Sequence, residues 1–350
     1  MTASVPIIDV GPLLAGEPAA GRVIADLDAA CRGHGFFSVV GHGVDPALLD
    51  RLVTSARQFF ALPDDEKAAI AMRHAGLAWR GWFPLGGELT SGVPDHKEGI
   101  YFGAELPPDD PRVVAGVPLH GANLFPARPA ALRPTVLAVL DALTGLGHRL
   151  MRGLAAGLGL DPDWFAREMT ADPVILFRIF HYPAVGADAH RDAEQDVDRD
   201  VDRWGVAEHT DYGFLTLLLQ DDAGGLEVYS GGEWVHVPPV PGALVCNLGD
   251  MLDRMTGGRY RATPHRVRAP VTGDRISCPF FFDPSWDAEV RPLPLAGEAS
   301  PEGRRRWDGT DLATLSGTYG EYLLGKVAQV FPELAASDSV HFTGPVGERP

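Results

Sequence analysis

In the first half of the chain, apolar residues recur with the three- to four-residue spacing of amphipathic helices. The clearest helix start is Asp45-Pro46, because an aspartate N-cap followed by proline at the first helical position favours a helix. Helices are predicted over residues 21–33, from Pro46 onward and across 131–158. Two short strands are predicted in this half, at 5–10 and 36–40. Residues 76–128 are rich in Gly and Pro and are predicted to be irregular.

After Asp172 the pattern changes to short apolar runs that Gly and Pro separate, which predicts strands. These runs are 174–182, 214–220, 226–229, 233–237, 243–248, 265–268 and 275–282. Between two of them, Ser230-Gly231-Gly232 is a hairpin signal. Helical spacing returns only near the end, in Leu312, Leu315, Tyr319, Tyr322, Leu323 and Val327. The pattern therefore predicts an α+β, β-rich fold, with a sandwich or jelly-roll core wrapped by helices.

This change of character divides the chain into three parts that we expect to form one structural unit. Residues 1–171 form an N-terminal mixed, helix-rich segment that packs on the core. Residues 172–290 form the β core, and residues 291–350 form a C-terminal helix and tail. An acidic, Arg-dotted stretch at 186–203 interrupts the core and is predicted to be a solvated segment or a lid over the site.

Composition excludes several classes of protein. With 45% apolar and 22% charged residues, the 350-residue chain is an ordinary globular protein. Its net charge of −17 argues against binding to nucleic acid or to an anionic membrane surface. The three cysteines lack the spacing of a disulfide framework or a thiolate zinc site. Without a basic leader or a membrane-length apolar run, the chain is expected to be cytoplasmic.

A histidine followed two residues later by a carboxylate is a weak metal-site signal, so its context must decide. The pattern occurs at His96/Glu98, His190/Asp192 and His209/Asp211. Only His209-Thr210-Asp211 runs directly into a long apolar strand that would hold it rigidly. The second pair lies in the charged segment at 186–203, and Glu98 is expected to have a structural role.

A third ligand should come from a later strand that folds back beside the first, and His265 fits this position. Two imidazoles and one carboxylate on one face of an octahedral metal leave three positions open for O2 and an organic co-substrate. This is the arrangement of non-haem Fe(II) oxygenases. A zinc hydrolase could use the same ligands, but it would need a positioned base and usually four-coordinate geometry.

Arg275 and Ser277 form a second candidate site. Residues i and i+2 of a strand face the same side, so the guanidinium and the hydroxyl should point together into the core. A buried arginine needs an anion, and a carboxylate can bind it through two hydrogen bonds. The anion is either a co-substrate, to which Tyr182 could add a hydroxyl, or an internal Asp or Glu.

These residues, in this order, resemble the Fe(II)- and 2-oxoglutarate-dependent dioxygenases, specifically the isopenicillin N synthase-like family. The resemblance covers nearly the whole chain, and the combination of motifs is far more specific than any one of them. The matching motifs are His34-Gly35-Phe36-Phe37, Gly41-His42-Gly43-Val44, Arg80-Gly81-Trp82-Phe83-Pro84, Lys97-Glu98, His209-Thr210-Asp211, Asn247-Leu248-Gly249-Asp250, His265-Arg266-Val267 and Arg275-Ile276-Ser277.

The resemblance implies a double-stranded β-helix that holds Fe(II), with 2-oxoglutarate and O2 as co-substrates. It places the far carboxylate of 2-oxoglutarate on Arg275 and Ser277, and it implies release of succinate and CO2 as a small organic substrate is hydroxylated, desaturated or cyclised. Phe180 departs from the family, which often has Asn there, and it is expected to line the substrate pocket instead. Because Asp211 is retained, halogenation is not expected. Asn247-Leu248-Gly249-Asp250 is interpreted as a structural turn.

Two alternatives remain open at this point. One is an oxidase that uses O2 without 2-oxoglutarate, as isopenicillin N synthase does, because such relatives also carry the R-x-S motif. The other is a binding protein that has kept the fold without the chemistry. The substrate is expected to be a small, mainly apolar natural product or amino acid derivative. Its predicted pocket residues are Arg80, Trp82, Tyr101, Phe180, Phe214 and Phe282.

Overall fold

The computed structural model of the protein describes residues 4–16, 18–90, 93–185, 204–295 and 316–331. Its helices are α1 (Gly11–Ala15), α2 (Ala20–Gly33), α3 (Pro46–Phe60), α4 (Asp64–Ala68), α5 (Pro111–Val114), α6 (Leu132–Gly157), α7 (Trp164–Glu168), α8 (Asp250–Met255) and α9 (Tyr319–Val330). Its strands are β1 (Ile7–Asp9), β2 (Phe36–Val40), β3 (Gly81–Phe83), β4 (Leu89–Thr90), β5 (Val93–Pro94), β6 (Glu98–Gly103), β7 (Pro173–Tyr182), β8 (Trp204–His209), β9 (Leu215–Gln220), β10 (Leu226–Ser230), β11 (Glu233–His236), β12 (Leu244–Leu248), β13 (His265–Arg268) and β14 (Arg275–Ser285).

The core consists of a large sheet and a small one. The large sheet has the strand order β1-β2-β12-β9-β14-β7-β6-β3, and the small sheet has the order β11-β10-β13-β8. Inner faces of both sheets border one cavity, which is lined from β7, β9, β12 and β14 on one side and from β8, β10 and β13 on the other. The predicted jelly-roll core is therefore confirmed.

The large sheet runs without a break across the proposed boundary at residue 171. Strand β2 pairs with β12, and β6 pairs with β7, so the N-terminal segment extends the core sheet on both sides. The prediction that 76–128 is irregular was wrong for β3 and β6. Strand β6 is buried along its whole length, so it lacks the polar and apolar alternation by which a half-buried strand is recognised.

Strand β8 was also missing from the prediction. It pairs with β13, and this pairing brings His209 directly opposite His265. Its sequence, Trp-Gly-Val-Ala-Glu-His, mixes small and polar residues and has no run of large apolar side chains. The partner strand lies more than fifty residues later in the chain, and long-range pairing of this kind does not show in a local pattern.

Helices cover the outer face of the large sheet and one end of the cavity. The Asp45 side chain caps α3, accepting a hydrogen bond of 2.9 Å from the Ala47 backbone N–H, as predicted. Helix α6 approaches β14 so closely that a Cβ at Gly147 would lie 2.6 Å from the ring of Phe282. Across the described ranges, no helix combines the length and the apolar character that crossing a membrane requires.

Helix α9 closes one side of the cavity. It begins with a capping box in which Thr318 and Glu321 exchange hydrogen bonds. Its first residue, Tyr319, donates a hydrogen bond of 2.5 Å to the buried Asp283, and Lys326 reaches the cavity wall. The predicted lid at 186–203, the pair His190/Asp192 and the stripe residues Leu312 and Leu315 lie outside the described residues.

Candidate active site

The two histidines and Asp211 converge at one end of the cavity. His209 is the last residue of β8, His265 is the first residue of β13, and Asp211 lies in the loop that follows β8. Asp211 Oδ1 is 3.9 Å from His209 Nε2 and 3.7 Å from His265 Nε2. One ligand atom from each residue lies within 4.8 Å of the other two. Within the described ranges, this is the one group of three or more such side chains that could hold a metal ion.

Backbone carbonyls set the orientation of both imidazoles. His209 Nδ1 lies 2.8 Å from the carbonyl oxygen of Ala207, and His265 Nδ1 lies 3.2 Å from that of Thr263. A carbonyl can only accept, so each Nδ1 carries the proton and donates it. Each Nε2 lone pair is then free and turned toward Asp211, which is the tautomer that metal ligation requires.

Asp211 is oriented in the same way by two donors. Its Oδ2 atom accepts hydrogen bonds from Thr216 Oγ1 at 2.5 Å and from Asn247 Nδ2 at 2.6 Å, while Oδ1 faces the histidines. Neither donor was identified from the sequence as a site residue. The available signal was a buried polar residue inside an otherwise apolar strand, Thr216 in β9 and Asn247 in β12.

The turn that begins at Asn247 does more than the predicted shaping of the chain. Besides the side-chain bond to Asp211, the Asp250 backbone N–H donates to the Asp211 carbonyl at 2.8 Å. The two backbones are so close that a Cβ at Gly249 would lie 2.4 Å from the Gly213 carbonyl oxygen. Glycine is therefore required at position 249, and the turn supports the ligand loop directly.

Burial and mutual charge set the protonation of these side chains. Burial, together with the charge of neighbouring His265, lowers the pKa of His209 to about 3. Burial alone would raise the pKa of Asp211, but the two imidazoles and the hydrogen bonds from Asn247 and Thr216 hold it below its usual value. At neutral pH the site therefore offers a neutral imidazole and a carboxylate, the forms that bind metals. The donor set fits a divalent iron ion with open positions.

Arg275 lies on β14 directly opposite Tyr182 on β7, and Ser277 lies two residues along the same face. The Arg275 side chain is fully buried, and its Nε donates to the Gly224 carbonyl at 2.5 Å. Both terminal nitrogens are buried without a hydrogen-bond partner in the described part of the chain. Beside these nitrogens, Ser277 Oγ lies 3.3 Å from Tyr182 Oη.

This arrangement decides between the two interpretations of Arg275. The described residues include no Asp or Glu that pairs with it, so an internal ion pair does not account for its burial. An unpartnered buried guanidinium is costly unless an anion binds to it. The residues present therefore fit a carboxylate ligand such as the far end of 2-oxoglutarate.

The cavity that joins these groups has a volume of about 600 Å³. Alternate residues of two neighbouring strands form its wall, as the two-residue period of a strand requires. From β7 these are Leu176, Arg178, Phe180 and Tyr182, and from β14 they are Arg275, Ser277, Pro279, Phe281 and Asp283. Phe180 thus lies where the sequence placed it, on the pocket wall.

The five other predicted pocket residues do not line this cavity, which corrects those predictions. Phe282 is one residue out of step with the inward face of β14, and its ring packs on α6. Phe214 packs on Phe165 of α7, with ring centres 5.4 Å apart. Trp82 donates its indole N–H to Glu98 at 2.8 Å, on the outer side of the wall.

Arg80 and Tyr101 lie behind the wall. Arg80 donates to the carbonyl oxygens of Ala104, Gly121 and Leu119, so its guanidinium holds a loop and is not open to a substrate. Tyr101 donates its hydroxyl proton to Glu88, and Glu88 is itself a cavity residue. A local pattern could not separate these positions from pocket positions, because both kinds are aromatic or charged and buried.

In the pair His96/Glu98, Glu98 has the structural role that was expected. Glu98 accepts hydrogen bonds from Lys67 at 2.8 Å and Trp82 at 2.8 Å, and it lies 2.9 Å from His181 Nδ1. These contacts tie β6 to α4, β3 and β7 on the face away from the cavity.

Five acidic or basic cavity residues were not identified as site residues from the sequence. These are Glu88, Lys97, Arg178, Asp283 and Lys326, which all contribute to the wall. Lys97-Glu98 had been noted only as part of a motif. In Arg178 the signal was a charged residue inside an otherwise apolar strand, Pro-Val-Ile-Leu-Phe-Arg-Ile-Phe-His-Tyr.

Comparisons with known proteins identify the family of this chain. Residues 5–128 match the family described as non-haem dioxygenase in morphine synthesis N-terminal, and residues 175–284 match the 2OG-Fe(II) oxygenase superfamily. A probable iron/ascorbate oxidoreductase of Dictyostelium discoideum is 46% identical over 88% of this chain and 89% of its own length. A 1-aminocyclopropane-1-carboxylate oxidase of Dictyostelium mucoroides is 33% identical over 94% and 95%.

The fold comparison gives the same result. A putative 2OG-Fe(II) oxygenase family protein from Caulobacter crescentus superposes with a TM-score of 0.75 at 29% identity, over 94% of this chain and 100% of that chain. The two family matches fall on the N-terminal segment and on the β core, and the two Dictyostelium relatives align with 88% and 94% of the chain. The chain therefore belongs to the 2OG-Fe(II) oxygenase superfamily of oxidoreductases, whose cofactors are Fe(II) and 2-oxoglutarate.

Proposed function

We propose that the protein is a 2-oxoglutarate-dependent Fe(II) oxygenase in which His209, Asp211 and His265 hold the iron. One observation carries this assignment. The Nε2 atoms of the two histidines and Oδ1 of Asp211 face one another, while the opposite polar atom of each side chain is already hydrogen-bonded. The site is therefore organised before any ion binds.

Arg275, Ser277 and Tyr182 are proposed to hold the far carboxylate of 2-oxoglutarate. The two unpartnered nitrogens of Arg275 suit a two-point contact with that carboxylate. Ser277 and Tyr182, 3.3 Å apart, would each add a hydroxyl to the same anion. The buried wall around Arg275 excludes water, so the ion pair would form in a medium of low polarity.

Bound together, Fe(II), 2-oxoglutarate and O2 supply the oxidising chemistry, which hydroxylates, desaturates or cyclises a small organic substrate and releases succinate and CO2. The chain's own residues position these partners. The strand pair β8 and β13 holds the imidazoles, and the pair β7 and β14 would hold the far end of the co-substrate. The cavity between the sheets would take the substrate.

An oxidase that consumes no 2-oxoglutarate is the second candidate, and the relative named as a 1-aminocyclopropane-1-carboxylate oxidase favours it. In that case Arg275 would bind a carboxylate of the substrate itself. The two candidates differ in one product. Only the 2-oxoglutarate-dependent enzyme forms one succinate for each molecule of O2 that it consumes.

An anaerobic titration tests the proposal. Fe(II) is added to the protein, followed by 2-oxoglutarate, and the visible metal-to-ligand charge-transfer band is recorded. We expect the band in the wild type and its loss in His209→Ala. The control is His74→Ala, because His74 is exposed and lies outside the cavity. A wild type without the band, or a His209→Ala variant that keeps it, would overturn the assignment.

A further inference from the structure

Arg178 is a buried cation on the cavity wall for which the proposed reaction has no role. It lies near the middle of β7, between Leu176 and Phe180 on the inward face, and its side chain is 13% exposed. Its charge is retained, because Tyr101 and Glu88 raise the pKa of Arg178 although burial acts to lower it. A charged arginine at this position is expensive unless it has partners.

The hydrogen-bonding capacity of Arg178 is largely unused. Among the described residues its one polar contact is a long one, 3.4 Å from Nη1 to Glu88 Oε1, and its Nε has no hydrogen-bond partner there. Two aromatic rings hold the guanidinium group, with Cζ 4.2 Å from the ring centre of Tyr101 and 4.9 Å from that of Phe281. Such stacking fixes the plane of the group and leaves its edge available.

Glu88 pairs with Arg178 only through this 3.4 Å contact, because its carboxylate is shared with Lys97 and Tyr101. Its Oε2 lies 2.9 Å from Lys97 Nζ, and its Oε1 accepts the hydroxyl proton of Tyr101. Lys97 also pairs with the buried Asp95. Two cations, Lys97 and Arg178, thus face the one carboxylate of Glu88, and the Nε of Arg178 has no hydrogen-bond partner in the described part of the chain.

The rest of this end of the cavity is mainly apolar. Leu176, Phe180 and Phe281 surround Arg178, and Leu89 and Val330 lie on the same wall. Helix α9 adds a second positive charge to the wall through Lys326. A mainly apolar pocket with cationic groups on its wall suits ligands that have an apolar body and an anionic group.

We propose that Arg178 is a substrate-binding residue that recognises a carboxylate, so that the substrate is an organic acid with an apolar body. The inference rests on the proposed function, because it places the acid in the same cavity as the iron and 2-oxoglutarate. Arg275 and Arg178 would then bind two different carboxylates, the former that of the co-substrate and the latter that of the substrate.

Matched acids and amides test this directly. Protein loaded with Fe(II) and saturating 2-oxoglutarate is titrated anaerobically with 3-phenylpropanoate, cyclohexylacetate and octanoate, and with the primary amide of each. Binding is measured by calorimetry and by the change in the charge-transfer band. Persistence of that band shows that the acid has not displaced 2-oxoglutarate.

In the wild type we expect at least one acid to bind about tenfold or more tightly than its amide, as the loss of a charge-assisted hydrogen bond implies. In Arg178→Gln this preference should fall to about twofold or less, with the amide affinity unchanged. Arg178→Lys keeps the positive charge but lacks the planar guanidinium that can make two hydrogen bonds to a carboxylate, so it should give an intermediate preference. Arg73→Gln is the control, because Arg73 is exposed and outside the cavity.

The inference is overturned if no acid is preferred over its amide by the wild type, or if Arg178→Gln keeps the preference. If Arg178→Gln fails to fold, Arg178→Lys takes its place, and a full wild-type preference in that variant overturns the inference. Failure of the proposed function has a separate signature, since it removes the charge-transfer band before any acid is added.

Discussion

Replacing Thr216 with valine removes a hydrogen bond from a proposed iron ligand while keeping the shape of the buried side chain. Thr216 Oγ1 donates to Asp211 Oδ2 at 2.5 Å, and Asn247 Nδ2 donates to the same oxygen at 2.6 Å. With both bonds present, Oδ1 is held toward His209 and His265. Without the hydroxyl, the carboxylate gains freedom to rotate away from the iron position.

The size of the effect follows from the charge on the acceptor. A hydrogen bond to an ionised group contributes about 1.5–3 kcal/mol. The Asn247 bond remains in Thr216→Val, so we take the lower part of this range, about 1.5–2 kcal/mol. At about 1.4 kcal/mol for each factor of ten, iron affinity should fall roughly 10- to 30-fold, within the range typical of residues that orient metal ligands.

The assay is an anaerobic calorimetric titration of the metal-free protein with Fe(II), at a pH where Asp211 is ionised. Thr216→Ser is the matched control, because serine keeps the hydroxyl donor and loses only a methyl group. We expect this variant to bind iron within about threefold of the wild type. Iron affinity unchanged in Thr216→Val, or lowered equally in both variants, would refute the idea that the hydroxyl orients Asp211.

Two further predictions concern buried charges. Arg275→Gln should weaken 2-oxoglutarate binding by about 2 kcal/mol or more, roughly 30-fold, and leave iron affinity unchanged. Titration of the charge-transfer band measures this binding. If iron binding is lost as well, Arg275 has a structural role instead. Burial raises the pKa of Asp283 to about 7, above an unfolded value near 3.9, so the folded state binds this proton more tightly. As the pH rises from about 4 to 7, the free energy of unfolding should therefore fall by up to about 1.4 kcal/mol per pH unit. Above about pH 7 this group should cause no further fall. Asp283→Asn should lack that slope in urea unfolding at several pH values, and parallel curves for the two proteins would contradict the prediction.

The sequence alone singled out the proposed iron ligands and the Arg275–Ser277 pair. A local pattern pointed to each of these residues except His265, which was inferred to lie on a later strand. His209 and Asp211 precede an apolar strand, and Arg275 and Ser277 are two residues apart on one strand, so they share a face whatever the rest of the fold does. The cap at Asp45 is a local feature of the same kind, and it was predicted correctly.

The sequence predicted only some of the strands. Those with clear apolar runs were predicted within a few residues, but β6 and β8 were not. Strand β6 is buried throughout, and β8 has few large apolar residues. Each is a strand because a partner far away in the chain, β7 or β13, completes its hydrogen bonds.

Only the tertiary structure decided which polar residues support the site. Asn247 and Thr216 lie on separate strands, and they meet at Asp211 because β12 and β9 are neighbours in the large sheet. Likewise, Arg80 and Arg178 are both arginines near aromatic residues, yet three backbone carbonyls occupy Arg80 while Arg178 lines the cavity. The sequence thus determined which residues can do the chemistry, because metal and carboxylate binding depend on residue type and short-range spacing. Which buried groups face the cavity and remain unpaired was decided by the packing of distant segments, which no local pattern records.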